Sequence, residues 1–393
     1  MNIYGTLSEL EMHGDYVQVF VGLANRGHNV KLFVQEPPKT GISYCSNLNI
    51  VHTKHPFSIN KISPINLITL KIISLMRQQG SGVLYLTGTM LGEGLIAGTL
   101  NKTPILCDIR SPWSTQLGDL STNISIRSQI GRRIRFFRWA IEERLVKNAN
   151  EILVYSEELK NWMVNRIGVD YSLVTVIPPH IDTNRFRPDV DGASIRERYQ
   201  IGSGPLLLYV GSMHYERGID ILVDALANVR NHFHGAKLML VGPWPKTLSS
   251  YRYKLDEQIT RLGLEETVLM TGLVPWNDIP KYLASADILL SAARYTDTYT
   301  MTPFQKLPEY LASGRPVILT GVGLAEYIID ENNALVVEPG RVDALSKAII
   351  RLLENPVLAQ RLSQEGRKLV SNEYDLERMI DLFESSLLSC LNN

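Results

Sequence analysis

The stretch YTMTPFQKLPEYLASGRPVILTGVG, residues 299 to 323, decides how this chain is read. Pro308 would break a helix interior, so a helix here starts near Lys306, with Pro308 in the first turn, where a missing N–H is tolerated. The small-residue turn Ala312-Ser313-Gly314 follows, and then the apolar strand Pro316 to Thr320. The string follows another apolar strand, Ile288 to Ser291. Strand, helix, turn, strand is the repeating unit of a parallel α/β sheet.

Working backwards, the same alternation fills the second half. Strands Leu206–Val210, Lys237–Val241 and Val268–Thr271 alternate with helices Ile219–Arg230, Tyr251–Leu262 and Asp278–Ser285. The first half repeats the scheme. Ile3 to Gly5, Val30 to Val34, Val83 to Leu86, Ile105 to Asp108, Glu151 to Tyr155 and Val174 to Ile177 read as strands. Asp15 to Arg26 reads as a helix, with Tyr16, Val19, Phe20 and Leu23 on one face and Gly27 at its end. Continuous apolar strands between helices predict sheets covered on both faces. Pro178-Pro179 and the polar stretch Asp182 to Gly192 interrupt the pattern, and Pro188 argues against helix continuity. The expected architecture is therefore α/β, with two doubly wound, Rossmann-like parallel-sheet domains over residues 1–185 and 195–370. Glu373 to Cys390 reads as a helix through Leu376, Met379, Ile380, Phe383 and Leu387. Residues 371–393 are expected to pack back on the first domain. Two such domains in series predict a ligand cleft between their strand C-termini.

Bulk composition narrows the function class. The chain has 393 residues, 45% of them hydrophobic and 20% charged, with 40 basic and 40 acidic side chains. A balanced charge gives no footprint for nucleic acid. The three cysteines, Cys45, Cys107 and Cys390, are far apart, so neither a metal site nor a disulfide framework is expected. The N-terminus lacks a basic n-region and a long apolar run, and no stretch reaches the ~18 apolar residues of a membrane span. The expectation is a cytoplasmic protein.

Chemistry concentrates at strand-to-helix turns. One turn is Glu11-Met-His-Gly14, and another is Gly211-Ser-Met-His-Tyr-Glu-Arg217-Gly218. Free N–H groups at a helix start favour anions, and glycine lets a phosphate approach. Arg217 adds a forked cation suited to phosphate oxygens. The plainer reading makes these glycines ordinary turn residues. Neither turn is G-x-G-x-x-G, which argues against a hydride-transfer cofactor. Lys306 and Glu309 stand three apart near the positive end of their helix. Lys306 suits a phosphate and Glu309 can accept from sugar hydroxyls; the alternative is a surface ion pair. Residues 126–146 form a basic amphipathic pattern, with Arg127, Arg132, Arg133, Arg135 and Arg138 around Ile130, Ile134, Phe137, Ile141 and Leu145. Such a helix can lie on an anionic membrane surface or pack on the first sheet with its basic face in water.

These motifs resemble a known family. Gly211 to Leu226, Leu238 to Pro243, Thr271 to Val274, Tyr282 to Ile288 and Pro303 to Val317 are similar, in order and spacing, to the C-terminal domain of GT-B glycosyltransferases of family 4. His13-Gly14, Leu23 to Val30, Asp108 to Trp113 and Ile177 to Phe186 resemble N-domain segments of the same family. The resemblance implies a retaining transfer of a sugar from a nucleotide diphosphate-sugar donor to a glycan- or lipid-linked acceptor, with no cofactor and no obligatory metal. It implies an acceptor-side N-terminal domain and a nucleotide-sugar-binding C-terminal domain. By position, Arg217, Lys306 and Arg110 are implied in catalysis. Gly14, Gly211, Ser212, Val274, Pro303, Phe304 and Glu309 are implied in donor binding, Glu309 at the ribose and Val274 at the base. The chain departs from the family's frequent pattern at Ser212, Met301, Arg110-Ser111 and Pro179-His180. Two alternatives therefore stay open: a catalytically silent nucleotide-sugar-binding subunit, and an epimerase or hydrolase on the same architecture. The lipid-linked acceptor would suit a protein peripheral to the inner membrane face.

Overall fold

The structure, a computed structural model, describes residues 1–7, 15–34, 46–52, 73–74, 77, 82–87, 91–112, 139–177, 179–245, 248–296, 301, 304, 306–322 and 331–392. It divides into two compact units, one of Met1–Pro178 with Leu376–Asn393 and one of Pro179–Asp375. Both are Rossmann-like, as the alternation of apolar strands predicts.

The first unit holds β1 (Asn2–Leu7), β2 (Asn29–Val34), β3 (Leu48–His52), β4 (Val83–Thr87), β5 (Ile105–Ile109), β6 (Glu151–Val154) and β7 (Val174–Val176) in the order β3-β2-β1-β4-β5-β6-β7. Every described strand pairing is parallel. Strands β4, β5 and β6 are buried along their whole length, because helices cover both faces. Helices α1 (Asp15–Asn25), α2 (Leu91–Asn101) and α3 (Glu157–Trp162) belong to this unit.

The second unit holds β8 (Leu206–Val210), β9 (Lys237–Val241), β10 (Val268–Gly272), β11 (Ile288–Ser291), β12 (Val317–Thr320) and β13 (Leu335–Val337), ordered β10-β9-β8-β11-β12-β13. Its helices are α4 (Ala193–Arg198), α5 (Ile219–Arg230), α6 (Ser249–Arg261), α7 (Ile279–Ser285), α8 (Leu307–Ala312), α9 (Val342–Glu354) and α10 (Pro356–Glu373). Counted from its own first strand the order is 3-2-1-4-5-6, the arrangement in which loops diverge at the switch point between the first and fourth strands. Here that point lies between β8 and β11.

The final helix, α11 (Leu376–Asn392), belongs to the first unit. Its Met379, Ile380, Phe383, Leu387 and Cys390 join the core of Val19, Phe20 and Leu23 from α1. Gly22 lets Ile380 sit against the α1 backbone, where a Cβ would overlap it. The rim is electrostatic: Arg26 pairs with Asp381 and Glu384 at 2.7 Å each and with Glu377 at 3.2 Å, and His28 Nε2 meets Glu384 Oε1 at 2.6 Å.

One sequence expectation needs correction. The last helix starts at Leu376 rather than Glu373, which closes α10. Asp375 is extended there: it bridges Ile181 and its Oδ1 accepts from Thr183. After the interrupting stretch Asp182 to Gly192 comes α4, whose Ile195 is buried in the second core and whose first N–H, on Ala193, reaches Asp191 Oδ1 at 2.8 Å. The helix expected near Lys306 is present: it begins at Leu307, with Lys306 as its N-cap and Pro308 in its first turn. Of the basic segment 126–146, residues 126–138 lie outside the described residues. Trp139 and Leu145 pack against the core of the first sheet.

Candidate functional site

The candidate site grows from the C-terminal ends of β8 and β11. The five residues of β8 are buried, and the chain leaves the sheet at Gly211, where an added Cβ would strike Tyr209 Oη. Tyr209 Oη donates to Ser212 O at 3.1 Å, and Met213 N–H donates to Pro243 O at 3.0 Å. The loop after β8 is thus pinned to its own strand and to the loop after β9. It then forms a single 3-10 turn, Tyr215–Arg217, and enters α5 through Gly218. Gly218 sits at φ +67, and a Cβ would run into the Ala292 carbonyl oxygen, so glycine is required for both reasons. His214 starts the turn. Burial pushes its imidazole pKa down, with Arg217 acting in the same direction and Glu216 against it.

The second strand of the site comes from the residues before α8. Phe304 is buried, and the Arg217 guanidinium carbon lies 5.7 Å from its ring centroid. The Phe304 ring meets Tyr310 edge-on at 5.4 Å and 82°. Tyr310 Oη accepts from Val210 N–H at 2.6 Å, which fastens α8 to the end of β8. Glu309, beside Tyr310, is only 4% exposed. Its Oε1 accepts from Lys306 Nζ at 2.7 Å, while Oε2 is buried with no hydrogen-bond partner among the described residues. The pair that the sequence offered as a surface alternative is present. Its carboxylate, however, is inside and its ammonium is one-third exposed, with side-chain exposures of 6% and 33%.

A third tie runs from the loop after β11. Arg294 holds both Asp220 oxygens, at 2.9 and 2.5 Å, and its Nη1 donates to Tyr215 O at 2.6 Å. Tyr251 Oη donates to Asp220 Oδ1 at 3.0 Å. Burial works against the Arg294 charge, and the bonds to Asp220 more than offset it, so its pKa rises.

Arg217, Phe304, Lys306, Glu309, Gly211 and Ser212 are thereby gathered around one switch point. Val274 is partly buried against the same core in the loop after β10, next to Leu273, which is 80% exposed. Gly14 and Pro303 lie outside the described residues. Arg110 belongs to the first unit. Its Nη2 donates to Asp108 Oδ2 at 3.2 Å, an oxygen that also accepts from Tyr85 and, at 3.2 Å, from Tyr155. Sequence reasoning missed Tyr310, Arg294 and Asp220. Among the described residues, no group of three or more His, Cys, Asp or Glu side chains could hold a metal ion, and no helix is long and apolar enough to cross a membrane.

Comparison with known proteins covers both halves. The family described as Glycosyl transferases group 1 matches residues 204–355, and Glycosyltransferase Family 4 matches residues 17–185. The alpha-D-kanosaminyltransferase of Streptomyces kanamyceticus is 25% identical over 244 residues, 61% of this chain and 60% of that protein. The GDP-mannose-dependent alpha-(1-6)-phosphatidylinositol monomannoside mannosyltransferase of Mycolicibacterium smegmatis is 31% identical over 228 residues, 57% of this chain and 58% of that protein. The chain therefore spans about three-fifths of the length of these relatives. Among solved structures, Anabaena HepE in complex with UDP and glucose superposes with a TM-score of 0.78 at 17% identity, covering 99% of this chain and 100% of its own. Sucrose-phosphate synthase from Thermosynechococcus elongatus gives 0.76 at 20% identity, covering 98% of each chain. With one family matching each half and the GT-B fold shared along nearly its whole length, the chain belongs to the GT-B glycosyltransferases of family 4.

Proposed function

We propose that this chain is a retaining glycosyltransferase that moves a sugar from a nucleotide diphosphate-sugar donor to a glycan- or lipid-linked acceptor. The observation that carries the reading is the gathering of Arg217, Phe304, Lys306 and Glu309 at the ends of β8 and β11, with Glu309 Oε2 buried and unpaired among the described residues. A buried carboxylate oxygen of this kind suits a ribose hydroxyl. Arg217 and Lys306 suit the diphosphate. Lys306 Nζ also holds Glu309 at 2.7 Å, which ties the cation to the carboxylate assigned to the ribose. Val274 is assigned to the base through its backbone, and Ser212 to the donor.

As the glycosidic bond breaks, its electron pair passes to the diphosphate oxygen. Fixed donors and cations stabilise that charge, each worth about 2–4 kcal/mol in the transition state. The chain's own cations fill this role, so chelation with EDTA is expected to leave activity intact. Two similar proteins support the donor class: one relative is GDP-mannose-dependent, and one structural neighbour is in complex with UDP and glucose. The lipid acceptor draws on the same relative's phosphatidylinositol substrate, and a vesicle-flotation assay with anionic lipid tests residues 126–146 as the membrane contact.

The test is release of UDP or GDP from a panel of nucleotide sugars. Release that Arg217→Ala and Glu309→Ala both abolish supports the reading. Release that survives both variants refutes the assigned site. The silent-subunit reading is favoured by Ser212, Met301 and the Arg110-Ser111 replacement, and it predicts nucleotide binding with no release. Sugar inversion, or release with no acceptor product, marks the epimerase or hydrolase.

A further inference from the structure

We infer that Arg294 is a positioning residue for the diphosphate, acting by fixing the turn that carries Arg217; this rests on the donor site proposed above. Arg294 comes three residues after β11 and grips the loop after β8 in four ways. Its main-chain N–H donates to Glu216 O at 2.8 Å. Nη1 donates to Tyr215 O at 2.6 Å. The guanidinium carbon lies 3.9 Å from the Tyr215 ring centroid. Nη1 and Nη2 hold the two oxygens of Asp220 at 2.9 and 2.5 Å.

Tyr215 and Glu216 are the two residues before Arg217, and Asp220 follows it in the first turn of α5. One guanidinium therefore anchors the chain on both sides of Arg217. Tyr251 completes the brace, with Oη on Asp220 Oδ1 at 3.0 Å and its ring edge-on to Tyr215 at 5.7 Å and 88°. The charges of Arg294 and Asp220 cancel, so the brace adds little net attraction for an anion. What it supplies is geometry, and that depends on the planar fork, which lysine cannot reproduce.

The experiment is calorimetric titration of UDP and GDP into the wild type, Arg217→Ala, Arg294→Gln, Arg294→Lys and the Arg217→Ala/Arg294→Gln double variant. Whichever nucleotide binds, Arg294→Gln is expected to weaken it about tenfold, and Arg294→Lys by a similar factor. In the Arg217→Ala background, Arg294→Gln is expected to add less than about twofold, because the two act as one unit. A role confined to folding would instead lower the melting temperature and multiply the two losses. Where Arg294→Gln fails to fold, Asp220→Asn keeps the side-chain shape, weakens the same brace and runs the same cycle. Binding in Arg294→Gln within about twofold of wild type, or losses that multiply, overturns the inference while leaving the donor site standing. Failure of the wild type to bind either nucleotide overturns both.

Discussion

Removing one oxygen from Tyr310 tests how the site is assembled. Tyr310 is fully buried, and its Oη takes the Val210 N–H at 2.6 Å. Val210 is the last residue of β8. The pairing of β8 with β11 ends at Leu208, so the hydroxyl stands where a ladder partner would otherwise sit. Tyr310→Phe keeps the ring and its edge contact with Phe304 while leaving the Val210 N–H buried without its acceptor. An unsatisfied buried donor costs about 1–3 kcal/mol. In a unit of this size each kcal/mol lowers the melting temperature by about 2–4 °C, so the expected drop is about 2–12 °C. Calorimetry of the variant beside the wild type measures it. Nucleotide affinity should weaken in parallel, since α8 carries Glu309 and Phe304 lies beneath Arg217. A variant that melts within about 1 °C of wild type would refute the reasoning. The Val210 N–H would then have another acceptor, and the tie would not be what seats α8.

Gly218→Ala should destabilise the second unit by about 1–3 kcal/mol in urea titration and weaken nucleotide binding, because it combines a positive φ with a collision at the Ala292 carbonyl. The hydrogen bonds from His28 and Arg26 hold the Glu384 carboxyl below its usual range. A carboxylate with a depressed folded pKa contributes stability above its unfolded value and loses it as the pH falls through the folded one. Acid melting of the wild type below about pH 4.5 should therefore be steeper than that of Glu384→Gln, and equal slopes would remove the claim. Cys107 and Cys390 are both 0% exposed, and burial pushes the Cys390 thiol up to about 12 and that of Cys107 higher still. Neither should react with iodoacetamide in the folded protein, and both should react in urea; native labelling of either would contradict their placement.

What could be read from the chain and what could not divide along a physical line. Strands β8, β9 and β11 were legible because burial on both faces demands unbroken apolar runs. Strands β3 and β13 were not. LNIVH and the three residues LVV carry too little local pattern, and they exist through their pairing with β2 and β12. Helix α8 was legible because proline chemistry dates its first turn, and Glu309 came with it. Tyr310 and Arg294 were missed because their meaning lies in bonds to residues 100 and 74–79 positions away, which leave no local signature. The glycines make the same point about function. The second unit has the Rossmann strand order without the Rossmann glycine spacing. Gly211 stands where a side chain would meet Tyr209, Gly218 where one would meet Ala292, and Gly242, at φ +143, where one would meet the Gly211 carbonyl. Each of the three lets a loop or strand end pack against its neighbour at the end of the sheet. Their spacing follows from how closely those segments must approach, so strand order alone would have suggested a hydride-transfer cofactor that the glycine spacing argues against.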